Sequence, residues 1–167
     1  GASNTAIGAN SLASNTTASN NTAVGKLALY ANTTGTENTA VGKGSADANT
    51  TGNSNTALGF NALSANTTAH NNTAVGGNAL LVNTTGASNV AVGQGALDAN
   101  TTANNNTAVG YASLTANTTG TQNVALGTNA LDAAVSVNNN TAIGYNALTV
   151  CTIGDNTAVG AESMAAT

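Results

Sequence analysis

Residues able to do chemistry are few in this chain, and they stand apart from one another. There is one histidine, His70, and one cysteine, Cys151; the only cations are Lys26 and Lys43, with six carboxylates and no arginine. A catalytic triad, a metal cluster or a phosphate loop needs several such groups converging on one point. No segment beside His70 or Cys151 supplies partners, and the patterns G-x-x-x-x-G-K, C-x-x-C and H-E-x-x-H are absent. The sequence therefore predicts no enzyme, and no catalytic, cofactor-binding or metal-binding residue. Cys151 has no partner for an internal disulfide and no basic neighbour to activate its thiol. It reads as a small hydrophobe at a turn. Seven Asn-Thr-Thr triplets, at Asn15, Asn32, Asn49, Asn66, Asn83, Asn100 and Asn117, match the N-glycosylation acceptor pattern. The same triplet also makes an Asx or Ser/Thr turn, and its regular spacing favours that reading.

That spacing is a property of the whole chain. A unit N-T-A-[VIL]-G-x-x-[AS]-L-x-x-N-T-T-[GA]-x-x recurs ten times, its glycines falling at Gly8, Gly25, Gly42 and so on to Gly160. Of the nine intervals between them, eight are 17 residues and the last is 16. A helical-hairpin repeat needs about 33 residues or more, so this unit is too short for one. It suits a coil of two short strands and two turns, predicting an all-β parallel solenoid (β-roll) of ten 17-residue coils stacked about 4.8 Å apart. One such domain spans residues 1–167, with irregular coils around 132–155, where Asp132–Val137 replaces the Asn-Thr-Thr corner and the next unit loses a residue.

Composition fits a rod better than a globule. Charged residues make up 5% and aromatics 2%, against the usual quarter charged. A net charge of −4 lacks the basic footprint of a nucleic-acid binder. No run of about 18 apolar residues is present to span a membrane.

In a stacked solenoid each position of the unit becomes a column along the rod. With the Asn as position one, position four is aliphatic throughout, from Ile7 to Val159, and position nine is Leu in eight units. Their uniformity predicts two inward aliphatic ladders, with the position-two Thr/Val column beside the first. Position three is Ala in all ten units, and position eight is only Ala or Ser. Alternation along the strand then directs both outward. Such constancy implies close packing, either against a neighbouring chain around a three-fold axis or within a single chain. The Asn of position one predicts a stacked amide ladder, and the Gly of position five a corner with positive φ. Variation concentrates at position six, whose Lys26, Lys43, Phe60, Tyr111 and Tyr145 form a candidate recognition column for a host-surface glycan or protein receptor.

The signature Asn21-Thr22-Ala23-Val24-Gly25 with Ala28 resembles the N-x-[AV]-[IVL]-G-x-x-[AS] repeats of YadA-like heads of trimeric adhesins and of phage tail-fibre β-rolls. The resemblance implies a left-handed, trimeric, extracellular fibre segment, structural or adhesive in role. Gly1 falls at position fifteen and Thr167 at position twelve, so the unit is entered and left in mid-coil. Two readings follow: a segment of a longer array, or a subunit of a head-to-tail filament. The chain also resembles N-x-V-x-G antifreeze β-rolls, which makes ice binding a further alternative, although no Thr-x-Thr face emerges from the unit.

Overall fold

The computed structural model describes residues 1–165; the assignment of Thr167 to position twelve lies outside them. Ten three-residue strands occur, one per unit: β1 (Thr5–Ile7), β2 (Thr22–Val24), β3 (Thr39–Val41), β4 (Thr56–Leu58), β5 (Thr73–Val75), β6 (Val90–Val92), β7 (Thr107–Val109), β8 (Val124–Leu126), β9 (Thr141–Ile143) and β10 (Thr157–Val159). They form one parallel sheet in chain order, each strand in register with the next, so that Thr5 pairs Thr22, Ala6 pairs Ala23 and Ile7 pairs Val24. The chain is a β-solenoid with about 17 residues per coil.

Only one leg of each coil is a strand. The opposite leg, positions six to eleven, is a run of turns in place of the second strand expected from the sequence. In the second coil the N–H of Ala28, Tyr30 and Asn32 each donate to the carbonyl three residues back, at Gly25, Leu27 and Leu29. This leg winds through left-handed backbone at positions seven and nine, where Leu27 has φ 63° and Leu29 φ 49°. A left-handed residue costs roughly 1–2 kcal/mol, while full burial of a leucine contributes about 1.5–3 kcal/mol. Burial offsets that cost, and the left-handed backbone, which β-branched side chains tolerate least, matches a position-nine column of Leu, Ala and Met with no β-branched residue. The turn leg is still zipped to its neighbours: Leu29 N–H donates to Ser45 C=O and Ala31 N–H to Asp47 C=O.

Of the two aliphatic ladders expected inside, the position-nine leucines are buried and the position-four residues are not. Alternation along the strand holds, but its sense is inverted. Ala23, Ala40, Ala57, Ala74, Ala91, Ala108, Ala125 and Ala142 of position three are fully buried, as are the Ala and Ser of position eight from Ala28 to Ala147. The aliphatic residues of position four, with Thr or Val of position two, line the outer face; Leu58 is 46% exposed and Leu126 44%. The physical reason is width. The position-nine leucines of the turn leg fill the space under the sheet, and two Asn columns take the rest, leaving room for a methyl group only. The alanines pack tightly within one chain and present no face to a neighbour.

The Asn columns form a polar core. Asn21 Nδ2 donates to Gly35 C=O at 2.9 Å, and its Oδ1 accepts the backbone N–H of Asn38 at 2.9 Å. Asn32, at position twelve, donates to the same Gly35 carbonyl at 2.9 Å and to Asn15 Oδ1 at 3.3 Å. One carbonyl per coil thus ties the two ladders together. At the corner after each strand, Gly93 and its equivalents sit at φ 125–140°. Between Gly8 and Gly144 in this column, a Cβ would fall 2.2–2.7 Å from the backbone of the next coil's glycine. Gly93→Ala should therefore abolish cooperative folding, because the backbone of the next coil at Gly110 and Tyr111 would have to move and the residue would be strained at φ 136°. Gly77→Ala, at position six with open space around it, should change stability by no more than about 0.5 kcal/mol. Paired urea titrations check both.

The irregular coils keep the columns and absorb change at the second corner. The shortened ninth coil loses its residue after Cys151, yet Asn156 N–H still donates to Asn140 Oδ1 at 3.0 Å, and β10 pairs β9 without a slip. Ala134 stands where position twelve should be Asn, and Asn117 Oδ1 is left as a buried acceptor with no donor. Partial burial pushes the Asp132 carboxyl above its usual range, with backbone hydrogen bonds at Ala133 and Asp132 opposing. A raised carboxylate pKa means that this group's contribution to stability falls as pH rises through its titration. Ala134→Asn should supply the missing donor and stabilise by about 0.5–1.5 kcal/mol, whereas Asn83→Ala, which orphans Asn66 Oδ1, should cost on the order of 1–3 kcal/mol. Equal shifts in the two unfolding midpoints would contradict the ladder.

Candidate functional site

With catalysis unsupported by sequence, the functional question is what the outside of the rod offers. Two surfaces stand out, and each follows from the column geometry. The first is the position-six line. The corner glycine turns the chain outward just before it, so Lys26, Lys43, Phe60, Tyr111 and Tyr145 are all exposed and lie along one edge. Phe60, Tyr111 and Tyr145 are each about half exposed, at 50%, 56% and 52%. Lys43 Nζ lies 5.4 Å from the centre of the Phe60 ring one coil away. An exposed cation–π contact of this kind contributes about 0.5–1 kcal/mol. Lys26, Tyr111 and Tyr145 share the line without such a pairing among the described residues. Tyr30, on the position-ten column, is exposed elsewhere on the turn leg. Beside Tyr111 a shallow cleft of about 220 Å³ opens between Asn78, Gln94, Asp98 and Thr115.

The second surface is the outer face of the sheet, which sequence reasoning placed inside. Thr or Val at position two and Val, Ile or Leu at position four make two parallel ranks, ten rungs long and free of any charged residue. The signal for this was present in the Ala of position three. An invariant smallest side chain between two larger, drifting ones marks the crowded side of a strand, and the larger residues mark the open side.

The other singled-out residues have structural roles. Asn32, Asn49, Asn66, Asn83, Asn100 and Asn117 are fully buried with their Nδ2 groups donating inward. In the folded chain these nitrogens cannot carry a glycan, and the turn reading of the triplet is the one realised. The first Thr of each triplet sends both its N–H and its hydroxyl to the carbonyl of the same residue in the next coil, as Thr33 does to Thr50. His70 Nδ1 accepts the backbone N–H of Asn53 at 2.9 Å, the place an Asn Oδ1 takes at Asn104 and Asn138. Cys151 is buried and free, its Sγ 2.9 Å from Ile153 C=O and 3.5 Å from Asn156 Nδ2. It occupies the Asn ladder as a thiol. Among the described residues no group of His, Cys, Asp and Glu could hold a metal ion, and no helix is long and apolar enough to cross a membrane.

No family model matches the chain, and neither a curated protein nor a solved structure does.

The inverted strand makes a direct prediction. Ala74→Val forces two extra methyl groups into the filled side and should destabilise by about 1–3 kcal/mol. The adjacent Val75→Thr, on the open side, should leave the fold intact by circular dichroism, so that a larger loss of stability from Val75→Thr than from Ala74→Val would favour the orientation expected from the sequence.

Proposed function

We propose that this chain is a non-catalytic, extracellular rod segment of an adhesive or tail-fibre type, and that it assembles with copies of itself through the outer strand face. The observation that carries this reading is the unbroken double rank of Thr and aliphatic residues at positions two and four. Monomeric soluble proteins rarely leave a long continuous apolar stripe open to water. Its period favours a second copy as the occupant: a sister chain has the same rung spacing of about 4.8 Å, so parallel copies meet rung against rung over the whole length. A partner without that period would match only a few rungs. Nothing electrostatic opposes the contact, because both lysines and all six carboxylates lie at other positions of the unit. Two ranks on one narrow strip suit three chains around an axis parallel to the rod, each meeting two neighbours, and the resemblance to trimeric adhesin heads points the same way.

Molar mass in solution tests this. Sedimentation equilibrium should give about three times the 15.9 kDa of one chain. Val75→Asp with Val92→Asp should yield monomer with an unchanged circular-dichroism spectrum, since both residues point outward. A wild-type monomer would overturn the proposal, and filaments in electron micrographs would favour head-to-tail stacking. A second reading draws on the same face. Because the position-two Thr column faces outward beside the position-four aliphatics, the ice-binding alternative rests on a surface that the sequence had placed inside. Thermal hysteresis at the concentration where the wild type is monomeric would favour ice; its absence together with the tripled mass favours the rod.

A further inference from the structure

The cleft beside Tyr111 cuts into the regular outer surface of the turn leg, and the cause can be read from position seven. Asn is the commonest residue of that column, and it tolerates the left-handed backbone there, as at Asn61 (φ 52°) and Asn78 (φ 59°). Such an Asn covers the coil before it. Asn61 Oδ1 lies 2.6 Å from where a Cβ of Gly44 would be, so the gap left by that glycine is filled. Gly95 is the same substitution three coils on, but the following coil carries Ala112 instead of Asn. The nearest atom to a Cβ at Gly95 is Asp98 Oδ2, at 4.0 Å. Two small residues in successive coils leave a notch, and Gly77 at position six of the preceding coil keeps one side open.

The groups around the notch are ordered for binding. Asp98 Oδ1 accepts the Thr115 hydroxyl at 2.7 Å, which fixes the carboxylate, while Oδ2 has no partner among the described residues. The same hydroxyl lies 3.1 Å from Gly95 C=O, which shares its single proton as the longer, secondary acceptor. The side-chain amides of Asn78 and Gln94 stand on the other sides, and the exposed Tyr111 ring forms a wall. We propose that this notch binds one neutral hexopyranose of a surface glycan. A fixed carboxylate accepts hydrogen bonds from adjacent hydroxyls, the two amides offer both donors and acceptors, and an aromatic face packs against the C–H face of a pyranose ring. An anionic ligand is disfavoured: neither lysine lines the notch, and the chain carries a net charge of −4. The volume of about 220 Å³, open to one side, fits a single ring with its glycosidic oxygen directed outward. One notch per chain is weak by itself, and parallel copies on a fibre raise the effective affinity without new contacts.

This names a ligand class for the adhesive reading, but binding to a single chain does not require assembly, and molar mass is measured separately. The failure of either is therefore distinguishable from the failure of the other. The test is saturation-transfer NMR with the methyl glycosides of glucose, galactose and N-acetylglucosamine at millimolar concentration. At least one should show transfer to its ring protons. Ala112→Asn places the column's own residue over the notch, so it should fold with unchanged circular dichroism and lose the signal. Tyr111→Ala should weaken binding about tenfold. Absence of transfer from all three glycosides overturns the proposal, as does binding that persists in Ala112→Asn. Saturation by tetramethylammonium with no sugar signal would likewise overturn it, showing an ammonium site built from Asp98 and Tyr111.

Discussion

The stacked asparagines of positions one and twelve are the constraint on which the rest of the fold depends. A buried amide without partners is expensive, with a cost of about 1–3 kcal/mol per orphaned group. Here nearly every partner comes from the coil above or below or from the one carbonyl at position fifteen. Asn38 shows the scheme: its N–H and Nδ2 both reach Asn21 Oδ1, at 2.9 and 3.2 Å, and its Nδ2 also donates to Gly52 C=O at 2.8 Å. No coil can satisfy its own core. Stability is therefore a nearest-neighbour quantity, and the register of every coil is set by hydrogen bonds with direction, which alanine packing alone could not fix.

From that core the other columns follow. Two amide ladders and a leucine from the turn leg leave only methyl-sized space under the sheet, so position three is Ala. The leucine reaches that space only from left-handed backbone, so position nine excludes β-branched side chains. The coils stack closely enough that a Cβ at the corner would strike the next coil, so position five is Gly. Each restriction removes one or more residue classes from one column. Beyond that one leucine per coil, the larger aliphatic side chains have nowhere to go but out, which is why the valines and isoleucines of position four are on the surface.

Much of this was legible before any coordinates. The period of 17, the parallel stack, the Asn ladder, the glycine corner, the turn role of Asn-Thr-Thr and the exposure of the position-six line all follow from column uniformity and short-range turn chemistry. What misled was hydrophobicity used as a guide to the inside. Val75 is more apolar than Ala74, and in a wide coil it would be buried first. Interior width is not written in either residue; it depends on whether the second leg is a strand or a run of turns. The clue was Leu29 and its equivalents, whose column avoids Val and Ile while position four welcomes them. That contrast separates left-handed backbone from strand, and with it a narrow coil from a wide one. The Tyr111 notch was not visible because it depends on residues from three successive coils meeting at one edge.

The irregular coils show which features the fold can relinquish. A residue is lost after Cys151, Val137 replaces a small residue at position fifteen, and Ala134 breaks the position-twelve ladder, yet the strands from β8 to β10 stay in register. Through all of this the position-one ladder is continuous: Asn123, Asn140 and Asn156 remain linked by backbone N–H to Oδ1 bonds of 3.0 Å. Position one therefore fixes the stack, and position twelve closes the second corner. A corner that can change length and composition without moving the strand face is a place where a repeat can vary while its outer ranks keep their spacing. The sheet face and the position-six edge are consequently decoupled: the first is held constant by the ladder behind it, and the second is free to differ from coil to coil. A rod built this way can retain one constant outer face while carrying different side chains along its edge.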